Sequence, residues 1–84
     1  MNSKELQLNY PCNWEYKTVL ESSYDIKEIV KDVLGDKEHS IKKSNNSKTG
    51  KYHSHIVSTL VNSDDERKAI FDNLKNHKFI KFVL

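Results

Sequence analysis

The sequence predicts a single α+β domain in which four strands and two helices follow the order β-α-β-β-α-β. Three observations support this fold class. The chain has 84 residues, enough for one modest hydrophobic core and no second domain. Its hydrophobic residues, 36% of the chain, recur with helix and strand periods, which argues against disorder. A run dense in Ser, Asn and Gly, SNNSKTG, separates two strand-like segments.

The first half of the chain predicts a strand followed by a helix. The segment WEYKTVLE alternates with a period of two, which places Trp14 and Tyr16 on the inward face. In SSYDIKEIVKDVLG, apolar residues recur at helical spacing, and they are Ile26, Ile29, Val30 and Val33. We expect Ser22 and Asp25 to form a capping-box-like start and Gly35 to end the helix.

The second half predicts a hairpin, a helix and a last strand. EHSIKKS is a polar strand around Ile41, and its lysines suit the edge of a sheet. SNNSKTG is the loop, in which Gly50 is free to adopt a positive φ, and KYHSHIVSTLV is the longest strand. Ser63 is the expected N-cap of the second helix, with Glu66 three residues later. The apolar stripe of that helix consists of Ile70, Phe71 and Leu74. KFIKFVL is short, apolar and prone to form a strand.

This element order is that of the ferredoxin-like split βαβ fold. Right-handed crossovers place both helices on one face of a four-stranded antiparallel sheet, so the other face is left uncovered. We expect residues 1–9 to be a flexible N-terminal segment and residues 10–84 to form the domain. The uncovered face is then the first place to look for function.

Three segments, YPCNWEYK, SKTGKYHS and FIKFVL, resemble the YbeD-like family of small bacterial proteins. The matching residues are Tyr10, Pro11, Tyr16, Lys17, Ser47, Gly50, Tyr52, Ser54, Val83 and Leu84. The resemblance covers residues 10–84 and implies a ferredoxin-like domain similar to regulatory, amino-acid-binding ACT domains. That family is functionally uncharacterised, so the resemblance implies a fold and no activity. Trp14, His53 and His55 are not part of the family's pattern.

Composition and cysteine content exclude several classes of protein. Cys12 is the only cysteine, so neither an intramolecular disulfide nor a cysteine-based zinc site can form. The N-terminus lacks the apolar run of a signal peptide, and no apolar stretch approaches the roughly 20 residues that span a bilayer. We therefore expect a soluble, cytoplasmic protein.

The sequence shows no catalytic constellation. Its twelve carboxylates fall mainly on the predicted solvent faces and starts of helices, where they cap or solubilise. Its serines lie in predicted turns, and no phosphate-binding loop or nucleophile elbow is present. We expect no enzymatic activity and no cofactor.

The uncovered sheet face is the predicted binding surface. If Val57, Thr59 and Val61 face the helices, alternation along the longest strand exposes the opposite set of side chains. That set is Tyr52, Ser54, Ile56, Ser58 and Leu60. An exposed strip of Tyr, Ile and Leu is typical of protein contact surfaces. The sequence thus predicts a small non-enzymatic binding or regulatory protein with a protein partner, acting through Tyr52, Ser54, Ile56 and Leu60.

The basic hairpin indicates nucleic acid as an alternative partner. Residues 37–62 carry a net charge of +4, and the excess comes from Lys42, Lys43, Lys48 and Lys51. RNA-recognition modules share this element order and stack bases on aromatic side chains of the central strands. Tyr52 follows Gly50 and Lys51 in that manner, but Ser54 and Ile56 occupy the next aromatic positions. Lysines at an edge strand also serve simply to prevent aggregation.

Two further hypotheses concern small ligands and metals. An ACT-like role would place a ligand carboxylate at the start of the first helix, near Ser22 and Ser23. His53 and His55 are two residues apart on a strand, hence on one face and about 7 Å apart, which suits two metal ligands. Candidates for the remaining ligands are His39, His77 and Cys12. The alternative is a pair of histidines at the margin of the core or over the helix ends, and we predict no metal site.

Overall fold

A computed structural model describes residues 9–46 and 50–84, and in it the chain has the predicted element order. The elements are β1 (Cys12–Glu21), α1 (Ile26–Leu34), β2 (His39–Asn46), β3 (Tyr52–Val61), α2 (Asp64–Lys75) and β4 (Ile80–Val83). All strand pairings are antiparallel, and the strand order is β2-β3-β1-β4. The ferredoxin-like fold class is therefore confirmed. The predicted flexible segment, residues 1–9, lies outside the described residues except for Asn9, as do Ser47 and Lys48 of the hairpin.

The alternation predicted for β1 is present in the structure. Tyr16, Thr18 and Leu20 are buried, and the residues between them are exposed or half-buried. Trp14 lies on the same face and packs against the core while remaining half-buried. The inward face of the first strand is therefore as predicted.

Helix α1 ends at the expected glycine, Gly35, but its N-cap is Asp25 alone. The Asp25 carboxylate accepts a hydrogen bond from a backbone N–H two residues later, and Gly35 has a φ of 60° and donates its N–H to the carbonyl of Lys31. Ser22, however, does not belong to this cap. Its hydroxyl donates to the carbonyl of Gly50, because the pairing of β1 with β3 brings these residues together. The predicted capping role of Ser22 is wrong.

Helix α2 has a capping box close to the predicted one. The Ser63 hydroxyl accepts a hydrogen bond of 3.1 Å from the N–H of Glu66. The Glu66 carboxylate reaches back to the N–H of Asn62, at 2.6 Å, one residue before the N-cap. Of the predicted stripe, Ile70 and Leu74 are buried and Phe71 is half-buried. Local sequence thus predicted the start and the inward face of α2.

Burial along β3 shows which sheet face the helices cover. Val57, Thr59 and Val61 are buried, which confirms the predicted parity of this strand. They share a core with the inward residues of β1 and with the apolar stripes of both helices. Within residues 9–46 and 50–84, no helix covers the opposite face.

Strand β4 pairs with only part of β1. The Cα partners are Thr18 with Val83, Val19 with Phe82 and Leu20 with Ile80, with a register shift between Val19 and Leu20. Beyond β4, the N–H of Lys17 donates to the carbonyl of Leu84 at 3.3 Å, and the N–H of Leu84 donates to the carbonyl of Lys17 at 2.8 Å. Because the backbone groups of Lys17 point toward β4, those of Asn13 and Glu15 point toward the same side. No described strand pairs with them there.

Candidate functional site

The uncovered sheet face carries all three large apolar side chains that are exposed among the described residues. These are Leu60, Phe82 and Leu84, with exposed fractions of 43%, 47% and 69%. The alternation of β3 places Leu60 on this face. Phe82 lies opposite Val19, and Leu84 exchanges two backbone hydrogen bonds with Lys17. Residues directly opposite each other share a sheet face, so the three side chains belong to one surface.

Ile56 lies at the middle of this face between two lysines. Lys17 of β1 and Lys42 of β2 are its Cα partners on either side. Neighbouring strands are about 4.8 Å apart, so the two lysine Cα atoms are separated by roughly 10 Å. Neither lysine forms a salt bridge with any described residue. The face therefore has an apolar middle and a positively charged margin.

The predicted contact residues mostly lie where the parity of β3 placed them. On the uncovered face are Tyr52, Ile56 and Leu60. Tyr52 is half-buried, and the Lys51 ammonium lies 5.5 Å from its ring centroid. Ser54 shares this face, directly opposite Val19, but is only 6% exposed. The prediction that Ser54 is an exposed contact residue is therefore wrong.

Sequence reasoning missed Val19, Phe82 and Leu84 as parts of the surface. For Val19 the signal was present, since the alternation of β1 turns it outward with Glu15 and Lys17. For the last strand there was no such signal. The segment FIKFVL is short, apolar on both parities and shifted in register where it pairs with β1. Only the pairing itself shows which of its side chains face outward.

The basic hairpin does not form one continuous patch within the described residues. Lys42 lies on the uncovered face opposite Ile56, whereas Lys43 lies opposite His55 on the helix-covered side. Both are exposed on β2, which is an edge strand as predicted. The lysines of β2 thus flank the edge from both sides, an arrangement that suits protection of an edge strand.

His53 and His55 meet on the helix-covered face. Their ring centroids are 4.7 Å apart, with an angle of 76° between the ring planes. Nε2 of His53 and Nδ1 of His55 are buried and have no hydrogen-bond partner among the described residues. Burial lowers the pKa of His55, and the neighbouring His53 and Lys43 lower it further. The pair therefore lies at the margin of the core.

The other proposed metal ligands lie away from this pair. His39 is opposite Thr59, and Cys12 is opposite Val61, toward the far end of β3. Nε2 of His77 is 3.2 Å from the Asp32 carboxylate. Across the parts of the chain that the structure describes, no group of three or more His, Cys, Asp and Glu side chains is arranged to hold a metal ion.

A cavity of about 830 Å³ lies beside the start of α1, where an ACT-like role would place a ligand. Asp25, Glu28 and Asp32 line it against a single cation, Lys31. This excess of negative charge opposes a ligand carboxylate, whatever the helix N-terminus contributes. Of the two serines proposed for that role, Ser23 lines the cavity.

A second cluster joins the beginning of β1 to α2. The Tyr10 hydroxyl donates to the Asp64 carboxylate and accepts a 3.2 Å hydrogen bond from Nε of Arg67. Asp64 and Arg67 also form a salt bridge of 3.3 Å, and the hydrogen bond from Tyr10 lowers the pKa of Asp64. The guanidinium of Arg67 lies 4.7 Å from the ring centroid of Trp14, and the Tyr16 hydroxyl donates to the carbonyl of Arg67 at 2.7 Å. These contacts fix the N-terminal half of β1 against α2.

The fold and the surface define a class: a small α+β protein whose antiparallel sheet has one face under two helices and one face open. The chain belongs to the family described as "Protein of unknown function (DUF493)", whose model matches residues 5–84. None of the helices in the described residues is long and apolar enough to cross a membrane.

Relatives and solved structures support this assignment. Uncharacterized protein Cj0253 of Campylobacter jejuni is 43% identical over 81 residues, which cover 96% of this chain and 91% of that protein. An uncharacterized protein of Helicobacter pylori is 28% identical over 75 residues, covering 87% and 85% of the two chains. The solution structure of protein HP0495 from H. pylori superposes with a TM-score of 0.82 at 26% identity, covering 99% of this chain and 91% of that one. The fold of this chain is thus shared with HP0495.

Proposed function

We propose that this protein is a small non-enzymatic binding or regulatory protein that holds a partner protein on its uncovered sheet face. The observation that carries the proposal is the position of Leu60, Phe82 and Leu84, which are all exposed and all on that face. Apolar side chains grouped on one surface are typical of contact sites, whereas single scattered ones are normal on any protein.

The surroundings of Ile56 favour a protein partner over other ligands. Ile56 is half-buried between Lys17 and Lys42, so a partner would cover an apolar centre and meet charge only at the rim. Protein interfaces commonly have this anatomy, with an apolar core and a polar margin.

Nucleic acid is the second candidate. The half-buried Tyr52, with the Lys51 ammonium above its ring, supports it, because aromatic rings beside cations are where single-stranded bases stack. The distribution of the lysines supports it less, since Lys42 and Lys43 lie on opposite faces of β2. Lys48 is outside the described residues. An ACT-like ligand role has the least support, because the cavity beside α1 is acidic.

Two finer assignments rest on the sequence. The likeness to the YbeD-like family agrees with the fold and with Tyr16 and Gly50, which have the inward and positive-φ positions expected of them. A cytoplasmic location agrees with the free thiol of Cys12.

The test compares what is bound by the wild-type protein and by two variants. Ile56→Asp introduces a charge in the middle of the uncovered face. Ala69→Asp introduces the same charge at an exposed position of α2 and is the matched control. Each tagged protein is incubated with lysate of its source cells, with and without nuclease, and the bound proteins and nucleic acids are identified. Thermal unfolding shows whether both variants fold.

The expected result is a set of proteins that wild type and Ala69→Asp retain after nuclease treatment and that folded Ile56→Asp loses. Identical protein sets on all three would contradict the proposal. Recovery of nucleic acid, with the proteins lost after nuclease, would replace it with the second candidate, which Lys42→Ala would then weaken with a smaller salt dependence.

A further inference from the structure

The open edge of β1 lies beside a cleft that neither the core nor the uncovered face uses. We infer that this edge, from Asn13 to Glu15, together with the cleft between β1 and α2, binds an extended segment of a partner protein by strand addition. We name this site the β1 slot. This inference goes beyond the proposed function, because the β1 slot would bind the backbone of a partner's segment at the edge of the sheet. The proposed function concerns a partner that packs on the uncovered face.

The edge is defined by where hydrogen bonding stops. Strand β3 pairs with β1 along its full length, from Cys12 to Glu21. On the other side, the pairing seen among the described residues reaches the two backbone hydrogen bonds between Lys17 and Leu84. No described strand pairs with that side of residues 12–16, which leaves a lane of roughly 16 Å at about 3.3 Å per residue. The lane continues the line of β4, and the N–H and C=O groups of Asn13 and Glu15 point into it.

The cleft lies on the helix side of that lane. It has a volume of about 350 Å³ and is lined by Trp14, Tyr16, Arg67, Lys68, Phe71 and Asp72. A strand added beside β1 would direct every second side chain to the side on which Trp14 and Tyr16 lie. The cleft would receive one such side chain, so the added segment would be held by backbone hydrogen bonds and selected by this pocket.

The chemistry of the slot indicates the occupant. Three aromatic rings favour an apolar or aromatic side chain in the cleft. The cations Arg67 and Lys68 and the carboxylate of Asp72 line it, and because Arg67 is paired with Asp64, Lys68 is the cation that faces a ligand. Lys68 forms no salt bridge with the described residues. We therefore assign the slot to an extended peptide segment that carries an apolar residue and a neighbouring acidic one.

The opposite edge of the sheet is a poorer candidate for strand addition. There β2 carries Lys42 and Lys43, which point to its two sides, and lysines of this kind discourage pairing with another strand. The edge of β1 presents no lysine between Cys12 and Tyr16.

Trp14 provides the readout, because it lines the cleft and is the only tryptophan in the chain. A phage-displayed library of random peptides of about seven residues, a usual strand length, is selected on the wild-type protein. The enriched peptide is synthesised and titrated while the emission of Trp14 is followed. Two methylated versions of this peptide are also made. One carries N-methyl groups on the odd-numbered backbone amides, and the other carries them on the even-numbered ones.

Strand addition predicts an unequal response to the two methylation patterns. Only one set of amides in an added strand donates to β1, so methylating that set is expected to weaken binding at least about tenfold. Methylating the other set is expected to change affinity by no more than about twofold. This comparison uses the unmodified protein and so does not depend on any variant folding.

A matched pair of substitutions tests the edge itself. Glu15→Pro removes an N–H that faces the lane and leaves the ladder with β3 intact, because Glu15 does not donate to β3. It is expected to weaken peptide binding at least about tenfold. Glu15→Ala removes the same side chain, keeps the N–H, and is expected to stay within about twofold of wild type.

Several results would overturn the inference. These are a library that yields no enriched peptide, a peptide that leaves the emission of Trp14 unchanged, and equal effects of the two methylation patterns. A peptide that Ile56→Asp abolishes and Glu15→Pro spares would lie on the uncovered face instead. Self-association that Glu15→Pro abolishes would show that a second copy of this chain occupies the slot, which also contradicts a partner's segment.

Discussion

The rings of His53 and His55 are in edge-to-face contact, with centroids 4.7 Å apart, on the side of β3 that the helices cover. His55 is only 8% exposed, and each ring has a buried nitrogen without a hydrogen-bond partner among the described residues. Protonating His55 would place a cation beside His53 and near Lys43. We therefore expect acid to destabilise the hairpin end of the core.

We expect stability to fall with acid because of His55. Burial lowers its pKa below the ordinary 6.5, helped by His53 and Lys43 and opposed only by Asp25. The unfolded chain therefore takes up this proton at a higher pH than the folded chain does. The contribution of His55 to the free energy of unfolding is therefore fully present above about pH 6.5 and decreases as the pH falls toward the lowered pKa. Urea unfolding at pH about 7.5 and about 5.5 measures the decrease, which His55→Gln should reduce.

The control for this prediction is His39→Gln, at the far end of the hairpin from His55. It should keep the acid dependence of the wild type. If His55→Gln and wild type lose equal stability between the two pH values, His55 is not the group responsible.

Tyr16 predicts a loss of stability at the opposite end of the pH scale. Its phenol is buried and donates to the carbonyl of Arg67, and burial raises its pKa to about 12. The contribution of the neutral Tyr16 phenol to the free energy of unfolding is fully present below about pH 10 and decreases as the pH rises toward 12. Tyr16→Phe should lower the free energy of unfolding at neutral pH by about 1 kcal/mol and remove the latest step of the ultraviolet absorbance titration.

Tyr24→Phe is the matched control, since the Tyr24 hydroxyl forms no hydrogen bond with the described residues and its ring stacks on Phe79. It should leave the free energy of unfolding within about 0.5 kcal/mol of wild type. An absorbance titration that keeps its latest step in Tyr16→Phe would show that another phenol accounts for it.

Gly35 should resist replacement for reasons of backbone conformation alone. It ends α1 with φ of 60° and ψ of −127°, and a Cβ added there would meet no atom within 4 Å. Gly35→Ala should therefore cost about 1–2 kcal/mol through backbone strain, without a steric clash. Urea unfolding measures this cost. D-alanine at the same position, introduced by chemical synthesis, should restore most of the stability, and an equal loss with both isomers would point to the side chain instead.

Much of the fold could be predicted because its signals are local. The alternation of WEYKTVLE turns Tyr16 inward whatever the strand pairs with. Ser63 and Glu66 begin α2 with groups three residues apart, and Gly50 has the positive φ of 73° expected of a loop glycine. Ser22 failed as a cap because its hydroxyl is taken by Gly50, a residue from another strand that local sequence does not reveal.

The candidate surface was predictable only in part. The parity of β3 placed Ile56 and Leu60 correctly, since a long strand with one buried face specifies its own alternation. The burial of Ser54 has no signal in its own strand, and the exposure of Phe82 depends on a register shift between β1 and β4. Such features depend on neighbouring parts of the fold.

The sequence by itself determined the order of the elements, the end of α1 at Gly35, the start of α2 at Ser63 and the inward side of each long strand, because periodicity and capping act over a few residues. The tertiary structure alone decided that Phe82 and Leu84 join Leu60 on one face, that Lys17 and Lys42 flank Ile56, and that β4 does not pair with β1 near Glu15. These relations depend on register between strands distant in the chain. Register is set by packing of the whole sheet against the helices, and no local pattern specifies it.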